Sequence, residues 1–513
     1  MERSARHVIG VDIGTQSTKA VLVEGTGRIV AQASRPYQVD TPEPLWAEQW
    51  PEVWLAAVVD CVREVVQRAG VARDSIAGLC VSSLYGGSGV PVDADGNPTH
   101  PCLIWMDRRA DAEVRWVREH VDLERLQDIT GNGVDSYYGY TKMLWLREQR
   151  PEAWRRTRAF LPPNAWVNAE LTGVVAVDHS SAGNIGGVYD IVQRAWSGEM
   201  LDRLGIPRSM MPGRLVESSA VVGPLKARWA RELGLPESLP VVAGGVDAAV
   251  ATLAAGASRS GNHVAMIGTS MCWGTIRQRV DARHGLISMP HVVDGLSDLY
   301  VFGGAITAGA SVTWFRETFC QAEIAEGAAR GVDPHALLEE PARALPPGAQ
   351  GLLFLPYLMG ERSPIWDSKA SGAFVGLGLH HGRAHLYRAV LEGISCALRH
   401  NIEAGAQAAE ALDDRLTVVG GAAHSDLWMQ IIADVTGRPV ATIEGDAEAS
   451  LGAAMLAALG VGLIDRATVD RGWVRLIDRA RPDAAACARY DALYREYVAL
   501  YPALKPVMHA LRA

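Results

Sequence analysis

The segment VIGVDIGTQSTKAVLV, from Val8 to Val23, decides the fold prediction because it places charged groups inside a strand pattern. Its first part is apolar enough to be a buried strand, yet Asp12 lies in the middle of it. Burying an unpaired carboxylate costs several kcal/mol, roughly, so some partner must compensate Asp12. The Gly-Thr pair that follows Asp12, and Lys19 further along, also need an explanation.

The turn after this strand has the composition of a phosphate-binding loop. In the run Asp-x-Gly-Thr-x-Ser-Thr-Lys, backbone N–H groups and hydroxyls can converge on one point, which is how a phosphate is cradled without a P-loop. Asp12 would then face a hydrated Mg²⁺, an ion that keeps several waters and takes one or two carboxylates. The alternative is a simple hairpin with an Asx-type turn and an exposed Lys19.

A second copy of this arrangement begins half a chain later. The run NHVAMIGTS again leads from a strand into a Gly-Thr pair, so Ile13-Gly14-Thr15 is echoed by Ile267-Gly268-Thr269. Such an echo indicates two related lobes. The Gly/Ala/Ser-rich run from Leu253 to Asn262 is the predicted junction, and we expect domains at 1–256 and 257–513.

Apolar strand-like runs alternate with amphipathic helical stretches along the whole chain, which is typical of an α/β protein. The first unit is a predicted β-meander of three short strands between His7 and Ser34. A helix around Trp54–Ala69 and a further strand over Ser75–Ser83 are predicted to follow.

Composition excludes several classes of protein. The 513 residues are 48% hydrophobic, and a net charge of −9 argues against a nucleic-acid partner because it leaves no basic stripe for phosphates. The longest apolar run, ASLGAAMLAALGVGLI from Ala449, is too short and glycine-rich to span a membrane and predicts a tightly packed buried helix. The sequence shows no secretory signal pattern and no C-x-x-C pair. We therefore expect a cytoplasmic protein with reduced thiols and no membrane partner.

Asp247 is the candidate general base. A strand runs into Gly244-Gly245, and Asp247 then opens a helix of small residues. The glycines let a ligand approach the backbone closely, and a helix N-terminus keeps a carboxylate ionised, as a base requires. The alternative is an ordinary helix N-cap, worth about 1 kcal/mol. Local chemistry leaves both open.

The run LTVVGGAAHSDLW predicts a strand, a turn over Gly420–Ala422 and a helix capped by Ser425 or Asp426. A nucleotide base or ribose could lie flat against such a turn, although an ordinary βα unit reads the same way. His381 and His385 have the spacing of metal ligands on a helix, but no His-Glu-x-x-His pattern accompanies them, so we expect no metal there.

Two long motifs resemble the signatures of the FGGY carbohydrate kinases, a branch of the actin-like ATPase superfamily, and are most similar to its xylulokinase-like members. GYTKMLWLREQ looks like the first signature, with Lys142, Trp145 and Glu148 in place, although Gly139 stands where the family usually has Pro, Ser or Thr. GAFVGLGLHHGRAHLYRAVLE matches the second signature fully. The resemblance covers essentially the whole chain.

The resemblance implies an α/β fold of two actin-like (RNase H-type) domains with an interdomain active-site cleft, the sugar bound mainly by the N-terminal domain and ATP by the C-terminal one. Asp247 matches the catalytic base, and Asp12 (through water) and Asp247 would hold Mg²⁺. The positions carried over to ATP and its phosphates are Asp12, Gly14, Thr15, Gln16, Ser17, Thr18, Lys19, Gly268, Thr269, Ser270, Gly309, Gly420, Gly421, Ala422 and Ser425.

The sugar pocket departs from the family pattern. Xylulokinases usually carry Gln-Met-His-Gly after the strand that ends near Ser83, where this chain has SSLYGGSGVPVD, and Ala248 replaces the usual Asn after the catalytic Asp. Two side chains expected to read sugar hydroxyls are therefore missing. The substitutes we predict for substrate binding are Tyr85, Gly86, Asp107 and Arg108.

The predicted reaction is phosphorylation of D-xylulose to D-xylulose 5-phosphate by ATP and Mg²⁺. Kinases for ribulose, erythritol or ribitol are the alternatives within the class. A non-catalytic sugar sensor and an actin-like assembly ATPase are the alternatives outside it. A homodimer is expected as a possible assembly.

Overall fold

The computed structural model describes residues 6–279, 285–406, 410–445, 448–471 and 473–512. The elements of the first half of the chain are β1 (His7–Ile13), β2 (Ser17–Glu24), β3 (Ile29–Pro36), β4 (Glu48–Gln49), α1 (Pro51–Ala69), β5 (Ile76–Ser83), β6 (Val90–Val92), β7 (Cys102–Leu103), α2 (Asp111–His120), α3 (Leu123–Thr130), α4 (Gly139–Gln149), α5 (Pro151–Arg156), β8 (Ala159–Leu161), α6 (Pro163–Thr172), β9 (Val177–Asp178), α7 (His179–Asn184), β10 (Tyr189–Asp190), β11 (Ala195–Trp196), α8 (Gly198–Leu204), β12 (Leu215–Val216), β13 (Val221–Pro224), α9 (Ala227–Leu233), β14 (Pro240–Val242) and α10 (Asp247–Ala254).

The elements of the second half are β15 (His263–Ile267), β16 (Met271–Arg277), β17 (Ile287–Pro290), β18 (Leu299–Gly303), α11 (Gly309–Phe319), α12 (Gln321–Arg330), α13 (Pro334–Arg343), β19 (Leu353–Leu355), β20 (Ala373–Val375), α14 (Arg383–Ala406), β21 (Leu416–Val419), α15 (Asp426–Thr436), β22 (Val440–Ile443), α16 (Ala449–Gly460), α17 (Arg466–Arg471), β23 (Leu476–Ala480) and α18 (Ala484–Leu511).

Each half builds its own mixed sheet. The first sheet has the order β13-β14-β5-β1-β2-β3, and the second has the order β17-β18-β16-β15-β21-β22-β23. In each, a central strand pairs antiparallel with the next strand of a hairpin and parallel with a later strand: β1 with β2 and β5, and β15 with β16 and β21. The predicted β-meander, the helix over Trp54–Ala69 and the strand ending at Ser83 are confirmed.

Helix α16 belongs to the second half of the chain but packs on β1 and α10 of the first half. Glycines on both sides of the contact make this possible. A Cβ on Gly10 of β1 would overlap the backbone of Ser450, and a Cβ on Gly452 of α16 would overlap the Val250 carbonyl. The helix is buried along most of its length, as predicted for the apolar run from Ala449. Because α16 follows β22 of the second sheet and packs on the first sheet, it connects the two sheets.

Reduced thiols and no membrane partner are expected from the sequence. All seven cysteines are free thiols. Within the described ranges, the helices are all too short or too polar to cross a bilayer.

Candidate active site

The first hairpin, between β1 and β2, carries a charged pair, one residue on each strand. Asp12 and Lys19 are cross-strand neighbours in this hairpin. The Gly14 N–H donates to the Ser17 carbonyl at 2.9 Å and closes the turn. The Trp105 indole N–H donates to the Thr15 hydroxyl at 3.0 Å, so the rest of the lobe holds the turn in place.

The second hairpin, between β15 and β16, has the same form. The Gly268 N–H donates to the Ser270 carbonyl at 2.9 Å, and the Gly309 N–H donates to the Gly268 carbonyl at 2.8 Å. Gly309 opens α11, and a Cβ at this position would lie 2.5 Å from the Gly268 oxygen. The predicted echo of the first hairpin is therefore a structural repeat, with α11 seated against its turn.

A cleft of about 450 Å³ brings the predicted phosphate loop and the predicted base together. Asp12 and Lys19 come from the first hairpin, Asp247 from α10 and Met266 from the end of β15. Glu448, just before α16, completes the charged lining. The full lining is Asp12, Gly14, Ser17, Lys19, Asp247, Ala248, Ala251, Met266, Glu448 and Ala449.

The carboxylates of this cleft affect one another. Burial, then the neighbouring charges of Asp247 and Glu448, raise the pKa of Asp12, and Asp12 Oδ1 is a buried atom with no hydrogen-bond partner. Burial also raises the pKa of Asp247 to about 7. A cation that enters the cleft would therefore be attracted by Asp12 and Asp247 and would supply the partner that Asp12 Oδ1 lacks.

Lys19 has a partner that the sequence did not indicate. Its Nζ lies 2.5 Å from Glu448 Oε1, and both side chains are partly exposed to the cleft. The two residues are 429 positions apart, so no local pattern could have paired them. The lysine predicted to contact a phosphate is thus held by a carboxylate from the second half of the chain.

Asp247 is the first residue of α10, and the N-cap of this helix is Val246. The alternative that Asp247 serves as the N-cap is therefore wrong. Its Oδ1 accepts the Ala248 N–H at 2.7 Å, which leaves the rest of the carboxylate available in the cleft. Like the side chain of an N-cap, the Asp247 carboxylate nevertheless accepts an N–H of the first helical turn that has no partner within the helix.

A second cavity, of about 560 Å³, adjoins the second hairpin. Ser425 is the N-cap of α15 and accepts the Trp428 N–H at 3.0 Å, so the cap is Ser425 and not Asp426. Gly420 has φ of 88°, and a Cβ there would lie 2.7 Å from the Ile267 carbonyl. The predicted residues that line this cavity are Gly268, Thr269, Gly309, Gly421, Ala422 and Ser425.

The opposite wall of this cavity was not predicted. Val312 and Thr313 come from α11, while His335 and Glu339 come from α13. Only an amphipathic pattern marks these helices in the sequence, and it does not say which cavity they border. Together the two walls enclose a space of a size that suits a nucleoside.

Tyr85 and Gly86 lie inside the first lobe. The Tyr85 hydroxyl accepts the Gly139 N–H at 2.6 Å, and the side chain is 6% exposed. A Cβ on Gly139 would overlap the Gly87 carbonyl, which explains why this chain departs from the Pro, Ser or Thr of the first signature. A Cβ on Gly86 would likewise meet Pro163. Gly139 and the Tyr85–Gly87 run both depart from the family pattern, and they pack directly against each other.

Asp107 and Arg108 are also engaged in contacts within the lobe. Asp107 has no exposed surface and accepts the Ala47 N–H at 2.7 Å and the Arg109 Nε–H at 2.8 Å. Arg108 forms an ion pair with Asp135. The role of all four residues in sugar binding stays a prediction.

One ring nitrogen of each of the two histidines contacts a backbone N–H. His381 Nδ1 accepts the Gly378 N–H at 2.8 Å, and His385 Nδ1 accepts the Gly382 N–H at 3.1 Å. No cluster of three or more His, Cys, Asp or Glu suited to a metal occurs in the described part of the chain.

Family models match both halves of the chain. The N-terminal domain model of the FGGY family of carbohydrate kinases matches residues 7–254, and the C-terminal domain model matches residues 263–461. The chain belongs to the FGGY family of carbohydrate kinases. It is accordingly an ATP-dependent sugar kinase, a phosphotransferase with an alcohol group as acceptor, and the fold class and enzyme class predicted from the sequence are confirmed.

Individual relatives cover the same length. A xylulose kinase of Bacillus subtilis (strain 168) is 32% identical over 515 residues, with 99% of each chain covered. A gluconokinase of Bacillus licheniformis is 28% identical, with 97% of this chain and 96% of the relative covered. The crystal structure of a xylulose kinase from Rhodospirillum rubrum superposes with a TM-score of 0.90 at 32% identity and covers 98% of this chain and all of that one.

Proposed function

We propose that this FGGY kinase is a xylulokinase, which transfers the γ-phosphate of ATP to a hydroxyl of D-xylulose and forms D-xylulose 5-phosphate. The observation that carries the proposal is the cleft itself. Asp12 and Asp247, from separate elements of the first lobe, meet there beside a hairpin of the second lobe that borders a nucleoside-sized cavity. The relatives named xylulose kinase support the choice of sugar.

Asp247 is the proposed general base. With its pKa raised to about 7, its carboxylate is a stronger base than an ordinary aspartate and still ionises near neutral pH. It would accept the proton of the sugar hydroxyl as that oxygen attacks phosphorus. The Ala248 N–H bound to Oδ1 orients the carboxylate at the start of α10.

The residues present suit Mg²⁺. Asp12 and Asp247 supply the one or two carboxylates that this ion takes while keeping several waters, and the unpartnered Oδ1 of Asp12 would gain a partner. When bound, Mg²⁺ would neutralise charge on the phosphoryl oxygens. Lys19 and the N–H groups and hydroxyls of the two Gly-Thr turns, including Thr15 and Thr269, would act on the same oxygens.

The nucleoside of ATP is proposed to lie in the cavity next to the second hairpin, between the Gly420–Ala422 turn and the wall formed by α11 and α13. This arrangement leaves the phosphates directed along Gly268–Ser270 toward the cleft that holds Asp247. A cytoplasmic location and a homodimer stay predictions.

A sugar acid is the second candidate substrate. Arg362 forms no ion pair with any carboxylate of the described residues, and its Nε–H reaches only the Gly304 carbonyl, at 3.4 Å. Burial raises the pKa of Tyr137, Arg362 opposes that shift and Asp247 adds to it, so both charges act on this phenol. A guanidinium without a carboxylate partner would suit the carboxylate of an aldonate. The gluconokinase relatives are consistent with this alternative.

The test is a substrate screen by coupled ADP release with D-xylulose, D-ribulose, erythritol, ribitol and D-gluconate, and with Asp247→Ala as the control. We expect the highest kcat/KM with D-xylulose. We expect Asp247→Ala to lose at least about a hundredfold in kcat while ADP binding stays nearly intact. A preference for D-gluconate would replace the substrate, and sugar binding without ADP formation would favour a sensor.

A further inference from the structure

The loop that carries Asp247 is held by hydrogen bonds from outside the loop. Each of its residues from Ala243 to Val246 has a backbone atom bonded to a neighbouring element. The contacts are Ala243 N–H to the Ala220 carbonyl at 2.9 Å, Gly244 N–H to the Ser218 carbonyl at 2.9 Å, Ser83 N–H to the Gly245 carbonyl at 3.1 Å, and Val246 N–H to Ser180 Oγ at 3.1 Å.

Three side chains hold the two ends of this loop, and two of them, Ser180 and Asn164, bind a common carboxylate. The third, Asn168, donates from Nδ2 to the Ala243 carbonyl at 2.9 Å. Ser180 on α7 accepts the N–H of Val246, the residue directly before Asp247. Asn164 on α6 donates from Nδ2 to the Ala243 carbonyl at 3.1 Å. Ser180 and Asn164 are buried, with exposed fractions of 0% and 1%.

A single carboxylate binds both Ser180 and Asn164. Asp178 Oδ1 accepts the Ser180 hydroxyl at 2.5 Å, and Asp178 Oδ2 accepts Asn164 Nδ2 at 3.0 Å. Asp178 is 1% exposed and also accepts the Ser181 N–H at 2.9 Å as the N-cap of α7. A carboxylate this deeply buried must have several donors, and here two of the donors, Ser180 and Asn164, also reach the Asp247 loop.

The carboxylate also sets the direction of each bond. An ionised carboxylate only accepts hydrogen bonds, so the Ser180 hydroxyl must donate to Asp178 and turn a lone pair toward the Val246 N–H. For the same reason, Asn164 must direct its amide nitrogen, with two hydrogens, at both Asp178 and the Ala243 carbonyl. Neither orientation would be enforced by a neutral side chain at position 178.

We propose that Asp178 is a positioning residue for Asp247, acting through Ser180 and Asn164 to fix the Ala243–Val246 loop. The proposal rests on the proposed role of Asp247 as the base. A catalytic group displaced by about 1 Å can cost about a hundredfold in rate, so the position of this loop matters to turnover. Asp178 itself touches neither the cleft nor the reacting groups.

The test compares Ser180→Ala with Ser181→Ala. The two serines are adjacent on α7, and both are buried, but Ser181 Oγ reaches Asn164 Oδ1, at 3.4 Å, and not the Asp247 loop. We expect Ser180→Ala to lower kcat by about ten- to thirtyfold, with KM for ATP and sugar within about twofold of the wild type. Ser181→Ala should keep kcat within about threefold of the wild type. The two variants should have similar melting temperatures, so the difference in kcat would not come from a difference in stability.

Hydrogen exchange supplies a measurement that does not depend on catalysis. In the intact chain, exchange of the Val246 amide should accelerate at least about tenfold in Ser180→Ala and stay unchanged in Ser181→Ala. Asp178→Asn should reproduce the Ser180→Ala pattern in both measurements. If wild type turns over no sugar while exchange behaves as expected, the proposed function fails and the loop anchoring stands. Equal kcat and equal exchange in the two serine variants would overturn the proposal.

Discussion

The two hairpins that border the cleft share a backbone plan and differ in chemistry. In both, the central strand of a mixed sheet ends in a Gly-Thr turn, and a glycine N–H closes the turn onto a carbonyl of the returning strand. The first hairpin pairs Asp12 with Lys19 across its strands. At the corresponding place in the second hairpin, Met266 pairs with Cys272.

This difference divides the work between the lobes. Asp12 and Met266 line the same cleft, so the charged and the apolar hairpin face one space. A carboxylate at position 266 would add like charge beside Asp12, whose pKa burial and the charge of Asp247 already raise. We infer that the first hairpin serves the metal and the transferred phosphate, while the second contributes backbone and hydroxyl groups next to the nucleoside cavity.

The largest effect is expected from removing the charge that distinguishes the first hairpin. Asp12→Asn should lower kcat by at least about a hundredfold and raise the Mg²⁺ concentration needed for half-maximal rate, because the variant loses a carboxylate that attracts the ion. Steady-state kinetics over a Mg²⁺ titration measure both quantities.

The matched control lies on the other hairpin. Met266→Leu should stay within about threefold of wild type in kcat, because it changes the apolar counterpart of Asp12 without changing charge. Equal losses in the two variants would mean that the hairpins do not differ in function as proposed.

A smaller effect is expected from disturbing the second hairpin. Gly309→Ala would place a Cβ 2.5 Å from the Gly268 carbonyl, so either α11 or the Gly268–Ser270 turn must move. We expect KM for ATP to rise about tenfold while KM for the sugar changes by less than about twofold. Gly198→Ala is the control, since a Cβ there meets nothing within 4 Å. A rise in the sugar KM alone would argue against a nucleotide role for this turn.

The pH profile tests the environment that the first lobe gives Asp247. Burial raises the pKa of Asp247 to about 7, so its carboxyl gains a proton as the pH falls through neutrality and loses its function as a base. For the free enzyme, kcat/KM for the sugar should be level above pH 8 and about tenfold lower at pH 6. A profile that stays level down to pH 5 would contradict this assignment.

Local patterns were sufficient to predict the parts of the site that are themselves local. The Gly-Thr turn after a strand, the Gly244-Gly245 turn before a helix and the Ser425 cap each depend on a few neighbouring residues, whose backbone requirements are visible in the sequence. The two-sheet architecture followed from the repeat of the first of these patterns. The motifs of the family supplied the rest of the fold.

What escaped prediction depends on residues that meet only after folding. Tyr85 is a predicted sugar contact, and its hydroxyl also accepts the Gly139 N–H, a contact made possible by glycine at a signature position. Asp107, another predicted sugar contact, also forms an ion pair with Arg109, two residues later. Glu448 reaches Lys19 only because α16 crosses to the first sheet. The Tyr85–Gly139 and Lys19–Glu448 contacts join residues too far apart in the chain for a spacing pattern to show them.

The smallest expected effect concerns that last contact. Glu448 partly neutralises Lys19, a cation that has no counterpart in the second hairpin. A phosphate that enters the cleft must compete with Glu448 for Lys19. The two side chains are 43% and 36% exposed, so the pair is screened by solvent and is worth at most about 1 kcal/mol. Glu448→Gln should therefore tighten ADP binding about two- to fivefold at low ionic strength, with a smaller gain as salt screens the pair. Isothermal titration with ADP at two salt concentrations measures this.

Glu444→Gln is the control, because Glu444 contacts the exposed Arg475 and not Lys19. Weaker ADP binding in Glu448→Gln would instead mean that Glu448 helps to attract the metal, and the first hairpin would then share its charged role with the second half of the chain.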